Sequence, residues 1–191
     1  MKIGLFFGSF NPVHIGHMVL ANYMLEFTDL EKIWFVVSPH NPLKKKSTLL
    51  ADHHRIALVR HAIGDNNKLK ASNIEFGLPQ PSYTVNTLAH LAEKHPKDQF
   101  ALIMGSDNLE SLRKWKNFEV ILEHYQVYVY PRPGYKGGDF TLHKSVVMTE
   151  APLMSISSTM IREAIKAKKN MQFFMPEAAW KYCEEMNFYT K

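Results

Sequence analysis

Two histidines three positions apart give the chain its clearest chemical feature, in the stretch Gly8-Ser9-Phe10-Asn11-Pro12-Val13-His14-Ile15-Gly16-His17. The short apolar run Ile3-Gly4-Leu5-Phe6-Phe7 before it reads as a buried strand leaving into a tight turn at Gly8-Ser9. Backbone N–H groups of such a turn can face a phosphate, and a helix starting directly after it adds the partial positive charge of its N-terminus. On a first helical turn, His14 and His17 would project to the same side. Gly16 between them would leave room for a ligand at the backbone, with the imidazole N–H groups donating to phosphoryl oxygens. The plain alternative is two ordinary histidines at a helix start. Zinc fits less well, because helical metal pairs are spaced i, i+4 and Cys183, the single cysteine, excludes a Cys-based cluster.

A second polar constellation is Ser155-Ile156-Ser157-Ser158-Thr159-Met160-Ile161-Arg162. Hydroxyl residues opening a helix, with Arg162 one turn inside, make a cradle for a triphosphate tail, or simply a serine N-cap beside a surface arginine. Asp107, in Gly105-Ser106-Asp107, is placed to accept from a ribose hydroxyl or to cap the next helix. Trp115 is suited to stacking on a flat ring or to the core. No G-x-x-x-x-G-K-[ST], G-x-G-x-x-G or G-x-S-x-G pattern occurs, so the common NTPase, dinucleotide and hydrolase fingerprints do not apply.

The elements that must position these residues alternate. Further strands are expected at 32–37, 69–76, 99–104, 125–130 and 146–148. Helices are expected from residue 15 (Ile15, Met18, Ala21, Leu25), over Asp52 to Ile63 (Ile56, Val59, Arg60, Ile63), after a Ser82 cap (Val85, Leu88, Ala89, Ala92), after Ser157 or Ser158, and after Pro176 in the first turn of a last helix. This order indicates an α/β fold: a Rossmann-like open parallel sheet with helices on both faces. The three polar groups all follow strand ends, where ligands of open sheets bind.

Composition sets the outer limits. The 191 residues are 46% hydrophobic and 21% charged, with no apolar run approaching a membrane span, which suggests one globular domain. The last helices, about 158–191, are expected to pack on as a C-terminal extension. A net charge of +5 suits anionic ligands, nucleotides and RNA among them, without choosing between them. The lone cysteine, and an N-terminus too weakly apolar for a signal peptide, lead us to expect a cytoplasmic setting.

Taken jointly, the His14-to-His17 turn and Ile156-Ser157-Ser158-Thr159-Met160-Ile161-Arg162 resemble the H-x-G-H nucleotidyltransferase superfamily. Pro81-Ser82-Tyr83-Thr84, Gly105-Ser106-Asp107-Asn108, Trp115-Lys116 and Arg132-Pro133-Gly134 narrow the resemblance to bacterial nicotinate-nucleotide adenylyltransferases, in family order along nearly the whole chain. The resemblance implies a nucleotidyltransferase-type fold and transfer of the adenylyl group of ATP to nicotinate mononucleotide in NAD biosynthesis. It implies that His14 and His17 contact the reacting phosphates, with Ser157, Ser158 and Arg162 on the departing pyrophosphate. Gly8, Ser9 and Phe10 would approach the nucleotides through the backbone, and Gly105, Asp107 and Ile156 would line the ATP side. Lys45, Thr84, Trp115 and Arg132 would serve the mononucleotide together with Ser9 and Phe10. Mg²⁺ would come bound to ATP without a dedicated protein cage. The family's P-N-x-x-P-P-H-K-like stretch departs here to Ser38-Pro39-His40-Asn41-Pro42-Leu43-Lys44-Lys45, which keeps cations but not the pattern. Neither nucleic acid nor membrane is expected as a partner.

Other readings predict different behaviour. A related H-x-G-H transferase would accept phosphopantetheine, nicotinamide mononucleotide, or a choline or glycerol phosphate. An aminoacyl-tRNA synthetase shares a literal H-I-G-H but needs a K-M-S-K-S-type loop and far more chain. A nucleotide- or RNA-binding module would bind without turnover.

Overall fold

A computed structural model describes residues 1–39 and 49–191. Its strands are β1 (Lys2–Gly8), β2 (Lys32–Val37), β3 (Leu69–Ser72), β4 (Gln99–Gly105), β5 (Gln126–Tyr130) and β6 (Val146–Met148). The helices are α1 (Ile15–Phe27), α2 (Asp52–Ile63), α3 (Thr84–Lys94), α4 (Ser106–Glu110), α5 (Phe118–His124), α6 (Ser158–Lys166) and α7 (Glu177–Glu185). All the strand pairs are parallel, in the order β3-β2-β1-β4-β5-β6.

Strands covered on both faces need apolar side chains on both, so β1, β2 and β4 read as near-continuous apolar runs. Their residues still alternate between two cores. Phe6, Ile33, Phe35 and Ile103 pack with Leu20, Met24, Val59, Ile161 and Trp180, from α1, α2, α6 and α7. Ile3, Leu5, Trp34 and Leu102 pack with Leu88, Leu91, Leu109 and Ile121, from α3, α4 and α5. Helices therefore cover both faces of an open sheet, as the alternation of elements implied. The winding reverses between the neighbours β1 and β4, so the crevice of the fold opens where Gly8 and Gly105 leave the sheet.

Several local expectations are corrected. The third strand stops at Ser72, and Ile74–Gly77 forms a 3-10 turn that carries Glu75 into the interior. Tyr83, in extended conformation, and not Ser82, precedes α3, while the Ser82 N–H donates to Gln80 Oε1 at 3.2 Å. The buried face of α3 is Thr87, Leu88 and Leu91, leaving Ala89 and Ala92 exposed. Helix α1 turns Leu20, Ala21, Met24 and Leu25 inward, with Ile15 and Met18 only half-buried. In α2 the interior cation is Arg55, while Arg60 is exposed. Tyr125 ends α5 rather than opening β5, and Pro176 lies just before α7.

Candidate active site

The turn leaving β1 takes its shape from one strained residue. Phe10 has φ of +44°, the left-handed region that non-glycine residues rarely enter. Burial holds it there: the ring is 2% exposed and lies 5.4 Å from Phe35, 5.9 Å from Phe6 and 5.1 Å from His17. A Cβ on Gly8 would come within 2.9 Å of that ring, so glycine is needed where the ring folds back beneath the strand exit.

His14 stands just before α1 in extended conformation, and His17 lies in its first turn. Their rings stack, with centroids 3.7 Å apart and planes inclined by 28°, so both do face the same side. The backbone N–H of His14 donates to His17 Nδ1 at 3.2 Å. A neutral imidazole that accepts at Nδ1 carries its proton on Nε2, so His17 presents an N–H donor at its outer end. Burial, and secondarily the charge of Arg132, push the His14 pKa down to about 4. Burial, His14 and Arg132 push His17 well below the usual imidazole value. Both rings are therefore neutral near pH 7. Gly16 gives its room to protein rather than to a ligand, because a Cβ there would meet the His14 ring at 3.1 Å and Met154 at 3.6 Å.

The two polar constellations meet. Arg162 Nη1 donates to the Asn11 carbonyl at 2.8 Å, and Ser158 Oγ donates to the Pro12 carbonyl at 2.8 Å. Ser157 caps α6 by accepting from the Met160 N–H at 3.2 Å, while Ile156 packs at the edge of the core. Ser158 has thus given its hydroxyl proton to the protein, whereas Ser157, which only accepts, keeps its O–H as a donor beside the first-turn N–H groups of α6.

From β4, Asp107 enters the same crevice. Its Oδ1 lies 3.8 Å from Arg132 Nε, and a Cβ on Gly105 would collide with Asp107 and Arg132. Among the described residues, His14 Nδ1 and Asp107 Oδ1 are buried side-chain atoms without a hydrogen-bond partner. Buried polar atoms are seldom left so, and both lie around the crevice. Arg132 thus stands by Asp107 and acts electrostatically on both histidines.

Thr84 and Trp115 share a separate neighbourhood. Thr84 is the first residue of α3, so its backbone N–H has no acceptor within the helix. Lys116, next to Trp115, lies 4.4 Å from the Tyr83 ring, which brings the two segments together. Trp115 is half-buried against the α3-side core. Lys45, with His40 and Lys44, lies outside the described residues.

Two positioning residues, Arg55 and Glu75, escaped the sequence reading, as did the role of Ser106. Arg55, fully buried, donates to the carbonyls of Ser9 (2.7 Å), Ser38 (2.7 Å) and Leu50 (3.1 Å), tying the exits of β1 and β2 to α2. Glu75 is buried and accepts from Thr87 Oγ1 at 2.8 Å, with the Ser38 and Ser82 hydroxyls near enough to favour its charged form. Burial raises its pKa, an effect the hydroxyl donors oppose. Ser106 accepts from Arg132 N at 2.9 Å and donates to the Tyr135 carbonyl at 3.0 Å, strapping the Arg132-Pro133-Gly134 loop to α4. An arginine or glutamate within an otherwise apolar helical face was the available signal. Cys183 has no comparable setting: burial raises its thiol to about 12, making it a core residue.

Residues 5–164 match the cytidylyltransferase-like family. The chain is 57% identical to a probable nicotinate-nucleotide adenylyltransferase of Christiangramia forsetii, over 98% of each chain. It is 58% identical to one of Flavobacterium psychrophilum, over the full length of both. The chain belongs to the nicotinate-nucleotide adenylyltransferase family. The fold agrees: nicotinic acid mononucleotide adenylyltransferase of Plasmodium falciparum, solved with NaAD, superposes with a TM-score of 0.82 at 19% identity, covering 99% of this chain and 97% of that one. In this family setting, the crevice between β1 and β4 is the place to look for substrate contacts.

Proposed function

We infer that the protein transfers the adenylyl group of ATP to nicotinate mononucleotide, giving nicotinate adenine dinucleotide and pyrophosphate, a step of NAD biosynthesis. The observation that carries this reading at the level of residues is the joining of the two motifs. Arg162 and Ser158 bond to the carbonyls of the turn that leads into the stacked His14 and His17.

The chemistry asks little of an acid or base. The 5′-phosphate of the mononucleotide is already a nucleophile, and one of its oxygens bonds to the α-phosphorus of ATP as the bond to the bridging oxygen of pyrophosphate breaks. The protein's task is to orient two polyanions and offset charge on the group in flight. His17 Nε2–H donates to an α-phosphate oxygen. His14, neutral and desolvated, contributes dipole rather than charge. Arg162 and the first-turn N–H groups of α6, at Ser158, face the departing pyrophosphate, with Ser157 fixing that end of the helix. Gly8, Ser9 and Phe10 present backbone to the phosphates, Gly105, Asp107 and Ile156 line the ATP side, and Asp107 accepts from a ribose hydroxyl. Trp115 stacks on the pyridine ring, and the Thr84 N–H, at the positive end of α3, receives its carboxylate. Lys45 and Arg132 supply positive charge to the mononucleotide.

Mg²⁺ fits as a passenger on ATP. Among the described residues, no group of three His, Cys, Asp or Glu side chains is placed to hold a metal. Besides imidazoles, a guanidinium and N–H donors, the crevice holds one carboxylate, Asp107, so most of the oxygen ligands Mg²⁺ prefers would have to come from the phosphates and water. Bound there, it would offset phosphate charge. We also take the chain as one unit with 158–191 as its packed extension, since Ile161, Trp180 and Phe188 join the core that holds Phe6 and Phe35. A cytoplasmic location and the lack of a nucleic-acid partner belong to the same reading. No helix among the described residues is long and apolar enough to cross a membrane.

Incubation with Mg-ATP and nicotinate mononucleotide should give nicotinate adenine dinucleotide and pyrophosphate in equal amounts on chromatography. Nucleotide binding without either product would leave a binding module instead.

A further inference from the structure

The last residues of the chain reach back to the β1 turn. Tyr189 has φ of +63° and Asn187 of +52°, two left-handed residues close together in a tail that tertiary contacts must hold in place. The Tyr189 hydroxyl donates to Asn11 Oδ1 at 2.8 Å. The same oxygen accepts from the Leu50 N–H at 3.2 Å, and Asn11 is only 3% exposed. On the other side of that residue, its carbonyl receives Arg162 Nη1 at 2.8 Å, while Arg162 Nη2 donates to Thr159 Oγ1 at 3.2 Å. Leu50, Thr159, Arg162 and Tyr189 line one cleft of about 500 Å³. The arrangement is a chain of contacts from the tail, through Asn11, to the guanidinium.

We propose that Tyr189 is a positioning residue for the pyrophosphate end of the site, acting through Asn11 to fix the carbonyl on which Arg162 is oriented. This rests on the function proposed above, in which Arg162 faces the departing pyrophosphate. Burial raises the phenol's pKa far above neutrality, so the group remains a donor at every working pH. Without its hydroxyl, Asn11 keeps the Leu50 bond but loses one of the contacts that set its side chain, and the carbonyl bound by Arg162 is freer to turn. The effect should fall on groups that hold pyrophosphate and spare the pyridine end at Thr84 and Trp115.

The test is Tyr189→Phe, assayed with Mg-ATP and nicotinate mononucleotide, using inorganic pyrophosphate as product inhibitor and thermal unfolding as the check on folding. The inhibition constant for pyrophosphate should rise about three- to tenfold and kcat/KM for ATP should fall to match, the scale of one hydrogen bond. The KM for the mononucleotide should stay unchanged. On an Arg162→Ala background, Tyr189→Phe should add nothing further. Unchanged pyrophosphate inhibition in a folded variant, equal losses for both substrates, or an effect that persists without Arg162 would each overturn the proposal. So would a Tyr189→Phe protein that fails to fold, because the hydroxyl would then serve the fold at large. A full-length protein that makes no dinucleotide would overturn the function itself, which sets that failure apart from this one.

Discussion

His14 and His17 are neutral at a place where phosphates call for cations, and the stacking explains why. Two imidazolium rings 3.7 Å apart in a buried turn beside Arg132 would repel each other and lack solvation. In the proposed reaction His17 acts as a hydrogen-bond donor, and His17→Ala should lower kcat by about 10²- to 10³-fold, with a smaller effect on the KM of the mononucleotide. Unchanged turnover would remove His17 from the reaction. The depressed pKa also has a consequence for stability. Between its unfolded value, 6.5, and about 4, the unfolded chain binds a proton at His14 that the folded chain does not. The stabilisation is thus fully present above pH 6.5 and is lost as pH falls towards 4, by on the order of 3 kcal/mol. Thermal unfolding followed from pH 7 to pH 4.5 should show this fall, and His14→Gln should flatten it; an unaltered slope would contradict the assignment. The histidines, Arg162 and the Ser157 cap were legible in sequence because each takes part in a local pattern. Arg55, Glu75 and Ser106 were not, because their partners are brought near only by folding: Ser9 and Ser38 for Arg55, Thr87 for Glu75, Tyr135 for Ser106.

At the scale of elements, the turn after β1 is held from two sides. Helix α6 grips it through Ser158 and Arg162, and α2 grips it through Arg55. Arg55→Leu would leave several buried carbonyls without a donor, and chemical denaturation should show a loss of roughly 3–5 kcal/mol. A loss under about 1 kcal/mol would mean that water replaces the guanidinium without difficulty. Ser157→Ala should cost about 1 kcal/mol by removing the α6 cap, with a larger proportional effect on kcat than on the mononucleotide's KM. Equal stability and turnover would show that the cap is dispensable. The central strands β1, β2 and β4 were readable because burial on both faces writes an apolar run into each. Helix faces were less so: the small exposed residues Ala89 and Ala92 mimic a core stripe, and Ser82 resembles a cap while standing one residue before the Tyr83 that precedes α3. The end of β3 was hidden because Ile74 and Phe76 continue its apolar pattern through the 3-10 turn.

For the whole molecule, alternation of elements announced a parallel α/β fold, but nothing local encodes the strand order. That order depends on which edges pair, and it is what places the exits of β1 and β4 side by side, with α6 returning over them. The net charge of +5, indifferent between nucleic acid and nucleotides in the sequence, fits a crevice for two anionic substrates. In the proposed reaction the Thr84 N–H, at the positive end of α3, would favour a carboxylate over an amide, since only the former gains a charge-assisted bond. The most direct measurement is therefore kcat/KM for nicotinate mononucleotide, nicotinamide mononucleotide and phosphopantetheine, with Mg-ATP in each case. Pyrophosphate release with nicotinate mononucleotide should be at least about tenfold more efficient than with its amide, and absent with phosphopantetheine. Equal values for acid and amide, or turnover of phosphopantetheine in place of either, would contradict this reading.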